Sequence, residues 1–191
     1  MDARPADLAD LDGLTSVLTE AFAADPLWSW AFPGGDGLER WWRFLIRGAL
    51  RYPTVRIMGD YAAAAVFIPP GGTELTPEDE GRVERLLHDL VGDRATAVLG
   101  LLDRFETARP DEPHHYLTLL GTADRYRGRG LGMTLLAQCL QDIDDEGLPA
   151  YLESSNPAND ARYEARGFRR IGEFTRPDEG HTVARMWRDA A

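Results

Sequence analysis

The segment best equipped for chemistry is residues 119–136, LLGTADRYRGRGLGMTLL. A strand pattern runs into a glycine-rich turn and then directly into a helix pattern. Gly128, Gly130 and Gly132 alternate with Arg127, Arg129 and Leu131. Glycine lets a backbone curl close to a ligand and aim successive N–H groups at it. The start of a helix adds unsatisfied donors and the positive end of the helix dipole. Arg125, Arg127 and Arg129 gather three cations in a chain whose 32 acidic residues outnumber its 21 basic ones, for a net charge of −11. That local reversal of sign suits an anionic diphosphate. A dinucleotide fingerprint would need glycine where the chain has Met133, and a nucleoside-triphosphate loop would need a lysine. What remains is Arg-x-x-Gly-x-Gly, running from Arg127 to Gly132. The competing reading is a solvated arginine turn ahead of an ordinary helix.

Lysine is absent, because all 21 basic residues are arginine. Schiff-base chemistry and lysine-dependent phosphoryl transfer are therefore excluded. An acidic chain is a poor general ligand for nucleic acid or anionic membrane, whereas it attracts cations, amines among them. Cys139 is the sole cysteine. It allows no intrachain disulfide, so a reducing cytoplasm is expected, and its apolar helical setting marks it as a core residue and not a nucleophile. The longest apolar run, YAAAAVFI at 61–68, is far short of a membrane span, and the acidic start lacks a signal-peptide layout.

The elements that must hold the glycine turn can be read from periodicity. Helices are expected over 6–24, 37–50, 76–91, 94–107, 131–147 and about 158–166. Thr76 and Pro77 suit the start of the third, and Gly167 suits the stop of the last. Strands are expected at 54–59, 61–68, 114–122, 148–154, 168–174 and 181–187. Residues 25–37 read as a loop carrying two tryptophans. No repeat, low-complexity tract or long linker interrupts the chain. The pattern implies one α/β domain with a mixed sheet, over residues 1–191.

RYRGRGLG after LLGT, followed by NPANDARYEARGF, resembles the GNAT superfamily of acetyl-CoA-dependent N-acetyltransferases. The branch it is most similar to is the puromycin N-acetyltransferase-like one. The resemblance is strongest over about residues 112–187, with EP at 112–113, YLESS at 151–155 and YEARGF at 163–168. It continues more weakly through AFAADPLW at 21–28 and the inserted region 76–108. It implies a mixed, mostly antiparallel GNAT-type sheet flanked by helices, with an inserted helical pair before the central strand. It implies acetyl-CoA as donor. Leu120, Gly121 and Thr122 would meet the acetyl carbonyl and pantetheine arm. Arg127, Gly128, Arg129, Gly130, Leu131, Gly132 and Met133 would hold the pyrophosphate through backbone N–H groups. Asn159 matches the family asparagine that contacts the cofactor, and Tyr163 the tyrosine that protonates the departing thiolate. The family usually begins with a full strand, but only DARPA precedes the first helix here, so that strand is expected to be vestigial.

Amide formation from a thioester requires a neutral amine, and only about one alkylamine in a thousand is neutral at pH 7. A base must take a proton, strand N–H groups must meet the oxyanion, and an acid must help the thiolate leave. Tyr163 lies four residues after Asn159, on the same helix face, and is the candidate acid. For the base, His114 and His115 open the central strand; adjacent strand residues face opposite ways, and His115 is preferred. Glu153 is the rival base or the anchor of the acceptor ammonium. Asp25, Trp28, Trp30 and Phe32, with Trp41 and Trp42 behind them, suggest an acceptor pocket with aromatic walls and a carboxylate. Trp28 is the expected wall, and Trp41 or Trp42 the expected core. No metal-site pattern is present, so no metal is expected. These readings and the resemblance point to acetylation of a small-molecule amine; the resemblance alone implies detoxification of an amino-bearing antibiotic as one form. No nucleic acid or membrane partner is expected, and the chain would be a monomer or homodimer. Acetylation of a protein N-terminus or lysine, and a non-catalytic acetyl-CoA sensor, are the alternatives.

Overall fold

The run AAAVFI is buried at every position, because helices cover both faces of the sheet it belongs to. The computed structural model describes residues 2–191. Strands are β1 (Ala3–Pro5), β2 (Val55–Met58), β3 (Ala63–Ile68), β4 (His115–Thr122), β5 (Ala150–Ser154), β6 (Arg169–Thr175) and β7 (Thr182–Arg188). Helices are α1 (Leu11–Phe22), α2 (Trp28–Ala31), α3 (Leu38–Ala49), α4 (Pro77–Glu80), α5 (Val83–Val91), α6 (Ala95–Ala108), α7 (Leu131–Asp145) and α8 (Asp160–Glu164). The strands form one sheet in the order β1-β2-β3-β4-β5-β7-β6. Every neighbouring pair is antiparallel except β4 and β5. Parallel neighbours need a crossover, and α7 supplies it.

Alternation along β3 divides the core. Ala64, Val66 and Ile68 face α1, α3 and the α5–α6 pair, while Ala63, Ala65 and Phe67 face α7. Leu135, Leu136, Cys139, Leu140 and Ile143 fill the α7 side. Burial pushes the Cys139 thiol up to about 12, which agrees with a core role.

The first strand is short but real. Ala3 to Pro5 pair with β2 and close the sheet edge. Asp7 then caps a short 3-10 turn, and Asp10 bonds back to the Asp7 amide. The helix expected over 76–91 is broken after Glu80 into α4 and α5. Thr76 caps α4 through the Asp79 amide, as its sequence suggests. The tryptophan loop contains α2, capped by Asp25, whose Oδ1 accepts from the amides of Leu27 (2.9 Å) and Trp28 (3.1 Å). Among the described residues, no helix is long and apolar enough to cross a membrane.

Candidate functional site

β4 and β5 are paired only from His115–Ala150 to Leu117–Leu152. Beyond Leu117 they part. The parting starts at a bulge: Phe67 pairs with Leu117 and Val66 with Leu119, which leaves Thr118 as an extra residue in β4. A bulge bends its strand and re-aims the residues beyond it. The cleft so opened has a volume of about 1200 Å³. Its lining runs from the start of α7, along β4, to the walls formed by α1 to α6.

One end is built for an anion. Gly130 precedes α7 with φ +73° and Gly128 has φ +77°, and the space where their side chains would stand is open. No side chain caps α7, so its first N–H groups stay free toward the cleft. Gly132 is close-packed instead: a Cβ there would sit 2.7 Å from Thr122 Oγ1. Leu120, Gly121, Thr122, Arg127, Gly128, Gly130, Leu131, Gly132 and Met133 all line this end. The arginine side chains do less than the sequence suggests. Arg127 pairs with Asp124 at 2.7 Å. Arg125 reaches the Asp60 carbonyl, and Arg129 stacks on Tyr126 outside the cleft. The anion site therefore rests on the backbone and the helix dipole.

The middle of the cleft carries Asn159 and Tyr163 on one face of the short turn-and-helix 157–164. Ser154 bonds Asp160 at 2.6 Å and Asn156 caps the 3-10 turn, which fixes this segment against β5. Gly167, at φ +88°, ends it, with the Phe168 amide bonded to the Tyr163 carbonyl. Burial, helped by the Asp25 and Asp160 carboxylates, pushes the Tyr163 hydroxyl up to about 12. It holds its proton at neutral pH.

A model of the acetyltransferase (GNAT) family matches residues 19–168. The chain belongs to the GNAT acetyltransferase family. Members of this family transfer an acetyl group from acetyl-CoA. Among solved structures, histone acetyltransferase HPA2 and related acetyltransferase from Corynebacterium glutamicum is 25% identical, with 99% of this chain and 96% of that chain covered and a TM-score of 0.68. Arylalkylamine N-acetyltransferase 2 from Aedes aegypti is 16% identical over 100% and 99% of the two chains, at a TM-score of 0.72. A Drosophila melanogaster polyamine N-acetyltransferase that forms N-acetylagmatine is 19% identical over 97% of each, at 0.70. The two insect enzymes share the fold with this chain.

At the far end of this GNAT cleft lies a buried polar cluster. Glu153, on β5, has both carboxylate oxygens buried and without a hydrogen-bond partner. Burial pushes it up to about 7, partly offset by the nearby Tyr116 and Tyr151 hydroxyls and by Arg109. Arg109 stacks on Tyr116 at 4.1 Å and pairs with Glu74 at 2.9 Å. Its Nε, like Thr118 Oγ1, has no partner. Sequence reasoning missed Arg109, Glu74 and Tyr116. Glu74 and Arg109 stand 35 residues apart and share no local pattern.

His115 is corrected. Its ring lies on the α7 side of the sheet, where Nε2 bonds Glu146 at 2.9 Å, and it does not line the cleft. His114 faces the other way but packs edge-on against Tyr151 and Trp187, also outside the cleft. Asp25 does line the cleft, but its oxygens are engaged: beyond capping α2, Oδ2 accepts from Ser155 Oγ at 2.7 Å. Burial raises it above the ordinary carboxylate range. Trp28 stands in the wall, stacked on Phe105 at 6.2 Å and edge-on to Trp42. Phe32 is core, and Trp41 and Trp42, although buried in the core, also line the cleft. Trp30 turns away, held between Arg94 and Arg176.

Proposed function

We propose that the protein acetylates a primary amine of a small molecule, by direct attack on acetyl-CoA within a ternary complex. One observation carries this reading. A single cleft joins an uncapped, glycine-preceded helix N-terminus to a buried carboxylate that lacks any partner.

The α7 amides and the loop 127–133 would hold the pyrophosphate, with Asn159 beside them. The part of β4 released from β5, at Leu120 to Thr122, would lie along the pantetheine arm and offer N–H groups to the carbonyl oxygen. The bound donor supplies an activated acetyl group as a thioester. Glu153, at about 7, accepts the proton that an acceptor ammonium must lose. A base with that value is half ionised at neutral pH, so it both attracts the ammonium and can deprotonate it. Tyr163, which keeps its proton, gives it to the departing sulfur. The leaving thiolate is neutralised, and the second proton that the nitrogen sheds as it becomes an amide restores the Tyr163 hydroxyl.

Helices α4 to α6 wall the acceptor end and favour a small molecule over a protein chain. The aromatic wall of Trp28 and Phe105 favours an acceptor with an apolar body. The resemblance to the puromycin N-acetyltransferase-like branch makes amino-bearing antibiotics part of the search. The whole of residues 1–191 would act as one catalytic domain, since the sheet takes strands from both ends of the chain.

The test is thiol release from acetyl-CoA across a panel of puromycin, aminoglycosides, polyamines, arylalkylamines, amino acids and basic peptides. Rapid release with one small amine class is expected. Release only with peptides would move the acceptor to proteins, and tight acetyl-CoA binding with no release from any amine would leave a sensor.

A further inference from the structure

Among the described residues, three arginines line the cleft, and only Arg109 stands at its acceptor end. Arg127 and Arg162 lie at the other, beside Asp124 and Asn159. Arg109 follows α6 directly, and Glu74, its partner at 2.9 Å, lies between β3 and α4. The pair therefore closes the base of the inserted segment 75–108. Glu74 is held in place by Arg51, which donates to the carbonyls of Thr73 at 2.6 Å and Leu75 at 2.9 Å, one on each side of it. Arg109 is held by its neighbours too. Its guanidinium lies over the Tyr116 ring at 4.1 Å, and the Ala108 carbonyl before it accepts from the Tyr151 hydroxyl at 3.4 Å. The Arg109 and Glu74 side chains are only 26% and 20% exposed. An ion pair so far out of water contributes little net stability, because lost hydration offsets the attraction. Arg109 Nε is moreover buried without a partner, which is a cost.

The groups around the pair converge on Glu153. Tyr116 of β4 and Tyr151 of β5 place their hydroxyls near it, Arg109 faces it from the end of α6, and Glu74 from the loop after β3. Arg185 of β7 stands opposite Glu153 in register, but its Nε donates to the Tyr151 hydroxyl at 3.4 Å.

We infer that Glu74 and Arg109 are positioning residues for the transfer: Glu74 and the Tyr116 ring hold the Arg109 guanidinium beside Glu153, the group that receives the acceptor's proton. Neither residue touches the reacting atoms. Arg109 favours the ionised, proton-accepting form of Glu153, and Glu74 opposes it. One ion pair thus exerts two opposed influences on the base, and removing its two halves has opposite effects. The inference rests on the transferase reading above and goes beyond it by tying the state of the base to the two ends of the inserted segment.

The experiment titrates Glu153 itself in the full chain without acetyl-CoA, by carbon NMR of protein labelled at the glutamate side-chain carboxyls. Its resonance is identified by its loss in Glu153→Gln. Arg109→Gln is expected to raise the titration midpoint by about one pH unit, and Glu74→Gln to lower it by about half a unit. Arg109→Lys, which keeps the charge, returns the midpoint toward the wild-type value. With an amine that releases thiol, the acidic limb of kcat/KM moves with the midpoint in each variant. A pair that only braces the segment behaves otherwise, since both substitutions break the same contact. A midpoint that stays, or moves the same way in both variants, overturns the inference, as does a limb that ignores the midpoint. Should Arg109→Gln fail to fold in thermal melts, Glu74→Gln decides: a lowered midpoint supports the inference, and an unchanged or raised one overturns it. If no amine releases thiol, the transferase reading fails. Opposite shifts then still show that the pair governs Glu153, and absent or like shifts remove that as well.

Discussion

Two side chains carry the proposed chemistry, and each makes a distinct forecast. Tyr163→Phe removes only a hydroxyl. It should lower kcat by about 10²- to 10⁴-fold while leaving the acetyl-CoA dissociation constant within about twofold, measured by single-turnover kinetics and calorimetry. Loss of affinity in step with rate would assign Tyr163 to packing. Glu153 answers to pH. Its folded value, about 7, lies above that of the unfolded chain, so the folded protein binds the extra proton between those two values. Its stabilising contribution is therefore present below the unfolded value and is lost as pH rises through about 7. Glu153→Gln should stabilise the protein at pH 8 by roughly 1–3 kcal/mol in denaturant melts, with no gain at pH 4, while erasing the acidic limb of kcat/KM. A variant equally stable or weaker at pH 8 would mean the carboxylate is satisfied in solution. Glu153 and Tyr163 were both visible in the sequence. His115 misled because strand alternation says that two histidines face opposite ways but not which face holds the cleft. A third possibility, that neither does, emerges only from Tyr151, Trp187 and Glu146 lying beside them.

At the scale of elements, the glycine turn and α7 are the part most legible in advance, because local chemistry dictates them. Gly128 and Gly130 hold positive φ, which other residues adopt rarely. Gly130→Glu meets no clash, since the space beside it is open, so its effect comes from backbone strain and from a carboxylate set at the anion site. Acetyl-CoA affinity should fall at least tenfold with a cost in stability of about 1–2 kcal/mol. Unchanged affinity would move the pyrophosphate elsewhere. Gly167 and Thr76 were readable for the same local reason. The break between α4 and α5, the short α2 and the Thr118 bulge were not. Each depends on what packs across from it, as when Asp25 turns from an expected ligand carboxylate into the cap that ties α2 to Ser155.

Across the whole molecule, the sheet is held at its far side by a link from β7 to the end of α7. Arg188 donates to both oxygens of Asp144, at 2.6 and 2.7 Å. The Arg188 guanidinium holds the Asp144 carboxyl below the usual range. A depressed carboxylate stabilises above its unfolded value and ceases to do so as pH falls through the folded one. Asp144→Asn should therefore lower stability by about 1–2 kcal/mol at pH 7, with the difference shrinking toward pH 3, followed by thermal or denaturant melts. A constant deficit at both pH values would point to packing alone. The cleft itself lies on the other side of the central strands, and its two ends are opposite in character: free amides and a helix dipole at one, a buried carboxylate without a partner at the other. That asymmetry bears on what happens after the reaction. Acetylation turns an ammonium into a neutral amide, so the product enters its departure with one positive charge fewer than the substrate had on arrival. On the proposed reading, the cleft end that holds Glu153 would grip this product less firmly than the ammonium it received, and turnover would not wait on product escape.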